Sequence, residues 1–227
     1  YELWLDERDL AGLPQSAVSA AKAAAAEKND SKRYLITLHA PSYTAFMKYS
    51  SRRDLREKLY KAYNTQCTSG EFSNIEIIKD IANTRLEIAN ILGFKNYAEY
   101  HLKDMMAQNQ ETVYGMLNKL RAAYAPRQKS DIAALNKFAS KLENKPVVIK
   151  PWDYAYYSNK LKESQFEIND EELRPYFELN KVIDGVFGLA PTLYGLNFEE
   201  NFDAQVYQPE VRAFNVTDGS GKFMGLL

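Results

Sequence analysis

The chain has 227 residues and a mass of 26.0 kDa, with 45% hydrophobic and 26% charged residues, enough apolar content for one large core or two small ones. Lys and Arg (29) nearly cancel Asp and Glu (30), and the net charge of −1 excludes a globally basic nucleic-acid binder and a highly charged disordered chain. One cysteine and two histidines allow no internal disulfide and little soft or imidazole chemistry for a metal.

Tyr1 opens the chain without an initiator Met or a basic-then-apolar signal segment, so a processed or cut chain is expected. No apolar run approaches the roughly 20 residues of a membrane span. Residues 14–29 start at Pro14 and carry the alanine run 20–26, which predicts a helix. Tyr34-Leu-Ile-Thr-Leu38 reads as a short strand closed by Pro41, and helices follow over 42–49 and 52–64. The stretch 31–63 holds eight basic residues against Asp54 and Glu57, interleaved with Tyr43, Tyr49, Tyr60 and Tyr63. Such a mixture can bind nucleic acid. At helical spacing Tyr60 and Tyr63 read instead as core or core-edge residues and the Lys and Arg as a solvated face, and no nucleic-acid partner is expected.

Residues 73–93 form the clearest helix, with Ser73 and Glu76 spaced as a capping box and Ile78, Ile81, Ala82, Leu86, Ala89 and Leu92 on one stripe up to Gly93. Asn96 with Glu99 begins the next helix, which carries His101, Met105 and Met106. Another starts near Asn109 with Val113, Met116, Leu117, Leu120 and Tyr124 on one face, and keeps its phase through Ile132, Leu135, Phe138 and Leu142. Pro126 interrupts it, which predicts one kinked helix or two nearly coaxial ones. Lys145 to Pro151 is a linker or a short extended segment, and Asp153 is placed to cap the helix of Tyr154, Tyr157 and Leu161.

Residues 167–210 hold ten acidic residues against Arg174 and Lys181, either pairing with the earlier basic stretch or forming a separate solvated face. Asn180 is placed to cap a last helix ending at Gly195. Val211 to Thr217, the turn Asp218-Gly-Ser-Gly221 and Lys222 to Leu227 read as a β-hairpin. It is either a short hairpin packed on helices or the opening of a sheet cut short, its exposed edge able to recruit a neighbouring molecule in a crystal. The expected fold is mainly α: a multi-helix domain over residues 1–200 with one short early strand, then the start of a truncated sheet over 201–227.

Site chemistry is sparse. His39 and His101 are not paired as His-Glu-x-x-His, the spacing that sets two imidazoles on one helical face for zinc. Each reads as a structural histidine. Cys67 has no histidine near it in sequence, and Asp170-Glu171-Glu172 suits a helix start. Phosphate-binding glycine loops and a Gly-x-Ser-x-Gly elbow are absent. Catalytic, cofactor-binding and metal-ligating residues are therefore assigned to none of the 227 positions.

Several collinear stretches nevertheless form a recognisable set. Trp152-Asp-Tyr-Ala-Tyr-Tyr-Ser-Asn-Lys-Leu161 resembles the W-D-x-x-Y-Y-x-x-K-L stretch of the thimet oligopeptidase and peptidyl-dipeptidase family. Leu173-Arg-Pro-Tyr-Phe-Glu-Leu-Asn-Lys-Val182 is similar to its R-P-Y-F-x-L-x-x-V segment, continued by Val186-Phe187 and Leu193 to Phe198. Leu10 to Pro14, Thr37 to Tyr43, Arg53 to Lys58 and Leu92 to Ala98 fit in order. Leu38 to Tyr43 looks closest to the bacterial dipeptidyl carboxypeptidase branch. Gln208 stands where the family's V-Y-H-P has His, and Ser73 where it has Asp.

The resemblance implies a parent zinc oligopeptidase that hydrolyses short peptides in a deep channel, releasing C-terminal dipeptides. This segment would shape the channel, lack the zinc site and be inactive by itself, with zinc held elsewhere in the parent. The compartment stays open between cytoplasm and periplasm. A non-catalytic helical module that binds peptides or a partner is the alternative.

Overall fold

A computed structural model describes residues 1–167 and 169–227. The chain divides into two compact units, Tyr1–Glu167 and Ile168–Leu227.

In the first unit, β1 (Glu2–Leu5) pairs antiparallel with β2 (Tyr34–Thr37), Glu2 opposite Thr37 and Leu5 opposite Tyr34. The expectation of one early strand is thus corrected to two. Between them α1 (Gln15–Glu27) lays its alanines on the ribbon, with Ala21 and Ala25 buried; small side chains permit that close approach. Gly12, at φ +88°, turns the chain toward α1. A side chain there would place its Cβ 2.4 Å from the Tyr49 carbonyl oxygen, and only glycine avoids both strains.

α2 (Ala40–Tyr49) and α3 (Arg53–Asn64) complete the main core, in which Leu3, Leu5, Ile36, Phe46, Met47 and Leu59 are buried together. Then come α4 (Ile75–Ile91), α5 (Tyr97–Leu102) and α6 (Gln110–Leu142). After an extended stretch, a 3₁₀ turn at Pro151–Asp153 leads directly into α7 (Tyr154–Phe166). Leu135 and Ala139 of α6 pack with Val147, Tyr156 and Tyr157 in a second small core. α6 is one helix of 33 residues that passes through Pro126.

The starts of α5 and α6 follow the expected chemistry. Asn96 Oδ1 accepts from the Glu99 N–H, and Asn109 Oδ1 from the Thr112 N–H, both at 2.9 Å. The start of α4 does not. The helix is entered from Asn74, with no side-chain cap, and Glu76 pairs with Lys79 instead of reaching back. With Asn74 as the flanking residue, Glu76 falls one position short of the reciprocal site that a capping box requires. The apolar stripe of α4 also faces outward: Ile78 is 59% and Ile81 46% exposed, and only Ala89 on this helix is buried. Met116, Leu117, Leu120 and Tyr124 on the first half of α6 are likewise exposed.

The second unit contains α8 (Asp170–Leu173), a 3₁₀ turn at Arg174–Tyr176, and α9 (Leu179–Tyr194). Helix α9 is entered from Glu178 and encloses Asn180, so Asn180 is not its cap. Gly195, at φ +68°, ends it as expected. An antiparallel sheet follows, in the order β3 (Asn197–Glu200), β4 (Phe214–Thr217) and β5 (Phe223–Leu226). The predicted hairpin is β4–β5, and β3 is an additional strand on its other side. Asp218 organises the turn, its Oδ1 accepting from the N–H groups of Ser220 (2.9 Å) and Lys222 (3.0 Å). Phe187 of α9 stacks on Phe198 at 4.4 Å and meets Phe214 edge-on at 4.8 Å, which fixes helix to sheet.

Candidate functional site

The densest polar arrangement lies at the contact of α3 with the 3₁₀ turn before α7. Asp153 is completely buried. It stands next to α7 yet makes no cap hydrogen bond there. Its carboxylate instead accepts from Arg53 Nε (3.0 and 3.1 Å) and Nη2 (2.6 Å), from Arg56 Nη2 (3.0 Å) and from the Lys150 N–H (3.1 Å). The capping role expected from its position is overridden because two guanidinium groups offer stronger, charge-assisted bonds than the helix N–H groups do.

Arg56 is almost as buried, 1% exposed. Its other donors reach the Ser50 carbonyl at 2.6 Å and the Trp152 carbonyl at 3.2 Å, and its guanidinium lies 4.2 Å from the centre of the Tyr156 ring. Arg53 remains half exposed and also donates to the Val148 carbonyl. One buried carboxylate thus ties α3 to a segment about 100 residues later in the chain. Burial alone would push the Asp153 carboxyl upward, but the bonds from Arg53, the Lys150 amide and Arg56 outweigh it, and the group sits below the usual carboxylate range. A carboxylate held so strongly in its charged form is a poor proton acceptor. The cluster is a structural clamp.

Next to it, burial, followed by the hydrogen bond to Glu143 and the charge of that residue, pushes the Tyr157 hydroxyl up to about 12. Tyr157 donates to Glu143 Oε1 at 3.1 Å. On the other side Tyr60 packs at 6.1 Å from the Trp152 ring, and Tyr43 stacks on Tyr63 at 4.2 Å. Tyr60 edges the core as its spacing suggests, and so does Tyr43, whereas Tyr63 is exposed. Ion pairs of the basic stretch run to Asp9, Asp30, Asp54, Glu57 and Asp153.

His39 lies exposed at the start of α2, and His101 lies exposed on α5, its ring stacked with Tyr97 at 6.0 Å. Cys67 is exposed in the loop between α3 and α4 at φ +54°. These three are not brought together with Asp153. Among the described residues no group of three or more His, Cys, Asp or Glu side chains is arranged to hold a metal ion. The donor set of these residues therefore does not fit zinc. No helix among them is long and apolar enough to cross a membrane.

The clamp escapes a reading of sequence alone because its halves are a hundred residues apart. The available signal was the occurrence of Arg53 and Arg56 in one recognisable stretch and Trp152-Asp153 in another.

Comparison with known proteins bears on both stretches. Residues 46–227 match the model of Peptidase family M3. The chain is 39% identical over 229 residues to oligopeptidase A of Salmonella typhimurium, covering 99% of this chain and 33% of that protein. It is 36% identical over 225 residues to oligopeptidase A of Haemophilus influenzae (97% and 33%). With the dipeptidyl carboxypeptidase of Escherichia coli it is 30% identical over 223 residues (97% and 33%). The chain spans about a third of the length of these relatives. With four-fifths of its length matched by that model, the chain belongs to peptidase family M3.

Proposed function

We propose that these residues form a non-catalytic segment of a zinc-dependent peptidase that hydrolyses short peptides. The observation that carries this reading is the family match over residues 46–227, joined to relatives that are peptidases by name. One feature supports assigning this segment to the wall of a substrate channel: the outer faces of α4 and the first half of α6 remain apolar and exposed, as surfaces awaiting a partner do. Zinc, in this reading, is held by residues other than these. The clamp at Asp153 keeps the wall rigid, and the bond cleavage occurs elsewhere.

The test is a peptidase assay with a quenched-fluorescent peptide on two proteins: the product of the complete gene and the 227-residue chain. The complete product is expected to cleave, and a chelator to stop it. The chain is expected neither to cleave nor to retain stoichiometric zinc. Chelator-sensitive cleavage by the chain overturns the assignment. An inactive complete product overturns the peptidase reading in favour of a peptide- or partner-binding module. Mass analysis of the products separates stepwise loss of C-terminal dipeptides, as the Leu38–Tyr43 stretch suggests, from internal cleavage.

A further inference from the structure

We propose that Tyr43 and Tyr63 form an oxidative cross-link site, at which a one-electron oxidant joins the two rings as dityrosine and staples α2 to α3. Tyr43 lies in the first turn of α2 and Tyr63 in the last turn of α3. Their rings stack with centroids 4.2 Å apart and planes 22° from parallel. Rings at that separation are in van der Waals contact. Tyr43 is half-buried against the main core, whereas Tyr63 is 41% exposed. One ring is thus held in place, and the other is open to a dissolved oxidant. Two other tyrosine pairs lack this combination. Tyr97 and Tyr100 meet edge-on at 5.8 Å within α5. Tyr156 and Tyr157 meet edge-on at 5.0 Å within α7, and both are buried. A link within either of those helices would join no second element.

The reaction needs no protein group beyond the two phenols. Tyr63 gives one electron to the oxidant and its hydroxyl proton to water, leaving a phenoxyl radical. Tyr43 does the same with a second oxidant equivalent. Its hydroxyl ordinarily keeps its proton, held up first by burial and then by Tyr60 and Tyr63 beside it, so the proton leaves only with the electron. The two radicals couple through a new carbon–carbon bond between ring positions next to the hydroxyl-bearing carbons. Each of those carbons then releases its hydrogen as a proton while the oxygen regains one, which restores both aromatic rings and both hydroxyls. Two oxidant equivalents are reduced, and the chain is lighter by two hydrogen atoms. Coupling must occur before either radical is quenched. Rings already stacked meet that condition, because a held pair reacts as though at very high concentration.

The test uses the 227-residue chain, with the exposed Cys67 first alkylated so that its sulfur takes no oxidising equivalents. Illuminated tris(bipyridyl)ruthenium with persulfate supplies the one-electron oxidant. Dityrosine fluorescence is read, and cross-linked peptides are mapped by mass spectrometry after digestion. The expected product is a monomer lighter by two hydrogen atoms, whose main cross-linked peptide joins Tyr43 to Tyr63 in a yield independent of protein concentration. In urea that peptide is expected to fall about tenfold, because the rings are no longer held together. Tyr43→Phe and Tyr63→Phe keep the ring and remove the phenol, and each is expected to abolish the monomer's main cross-link, whereas Tyr97→Phe leaves it unchanged. The mapping and the urea comparison need no substitution, so they decide the matter even if a variant fails to fold. Cross-links chiefly between chains, a main intramolecular link at another pair, or an equal Tyr43–Tyr63 yield in urea overturns the proposal.

Discussion

Removing the Asp153 carboxylate is the sharpest probe of the clamp. Asp153→Ala leaves the Arg56 guanidinium, 1% exposed, with only the Ser50 and Trp152 carbonyl groups as acceptors. Arg53 can turn to water, because it is half exposed; Arg56 cannot. Stripping one partner from a buried ion pair costs about 3–5 kcal/mol, a large part of the roughly 5–15 kcal/mol that holds a domain folded. At about 2–4 °C per kcal/mol for a chain of this size, the melting temperature is expected to fall by about 6–20 °C. Tryptophan fluorescence is the suitable readout. Trp4 and Trp152 are the chain's two tryptophans, and both lie in the first unit, so unfolding of that unit is followed without interference from the second.

Two companions test the reasoning itself. Arg56→Met combined with Asp153→Leu removes both charges and is expected to be less destabilised than Asp153→Ala alone. Acid supplies the second. The folded carboxyl titrates below its unfolded value, so the unfolded chain takes up the proton first. The clamp's contribution is therefore complete above about pH 4 and is lost as the pH falls below it, and Asp153→Asn is expected to flatten that acid limb. An Asp153→Ala chain within about 1 kcal/mol of the parent would refute the clamp as a stability element, because that is the size of an ordinary surface change.

Three further outcomes follow from single features. Tyr157 holds its proton to about pH 12 in the folded chain but only to about 10 when unfolded, so its contribution is complete below about pH 10 and lost between 10 and 12; Tyr157→Phe should abolish that alkaline slope in a denaturant series. Gly12→Ala meets the Tyr49 carbonyl at 2.4 Å and a φ of +88°, and a loss of at least about 1–3 kcal/mol is expected in urea unfolding. Ile78→Ser and Ile81→Ser, although on a regular apolar stripe, should each stay within about 0.5 kcal/mol of the parent in this chain because both side chains are exposed.

What was legible in the sequence was what local chemistry controls. Asn96 and Asn109 announce helix starts because an Asn side chain satisfies free N–H groups three residues on. Gly195 announces a helix end because it accepts a left-handed turn. The two missed strands depend on distant partners. Leu5 pairs with Tyr34, and Glu200 with Phe214, so their pairing is set by residues far along the chain. The periodicity of α4 correctly marks a helix but not its burial. Period 3.6 reports which side chains share a face, and says nothing about what covers that face.

The same distinction explains the clamp and its relation to the family. Arg53 and Arg56 are three apart on α3, so one face of the helix presents both guanidinium groups to the turn at Pro151–Asp153. Tyr156 packs on Arg56 from α7, and Trp152 contributes its carbonyl. Two stretches by which the sequence resembles its relatives are therefore the two halves of one buried contact. Loss of the carboxylate strands a charge, since Arg56 without Asp153 has no other carboxylate among its hydrogen-bond partners. A motif of this kind marks a fold because its parts must be present together, and it needs no part in bond cleavage to be recognisable. The histidines show the converse. His39 and His101 are chemically the more versatile residues, yet the fold leaves both at the surface and outside any metal-binding group.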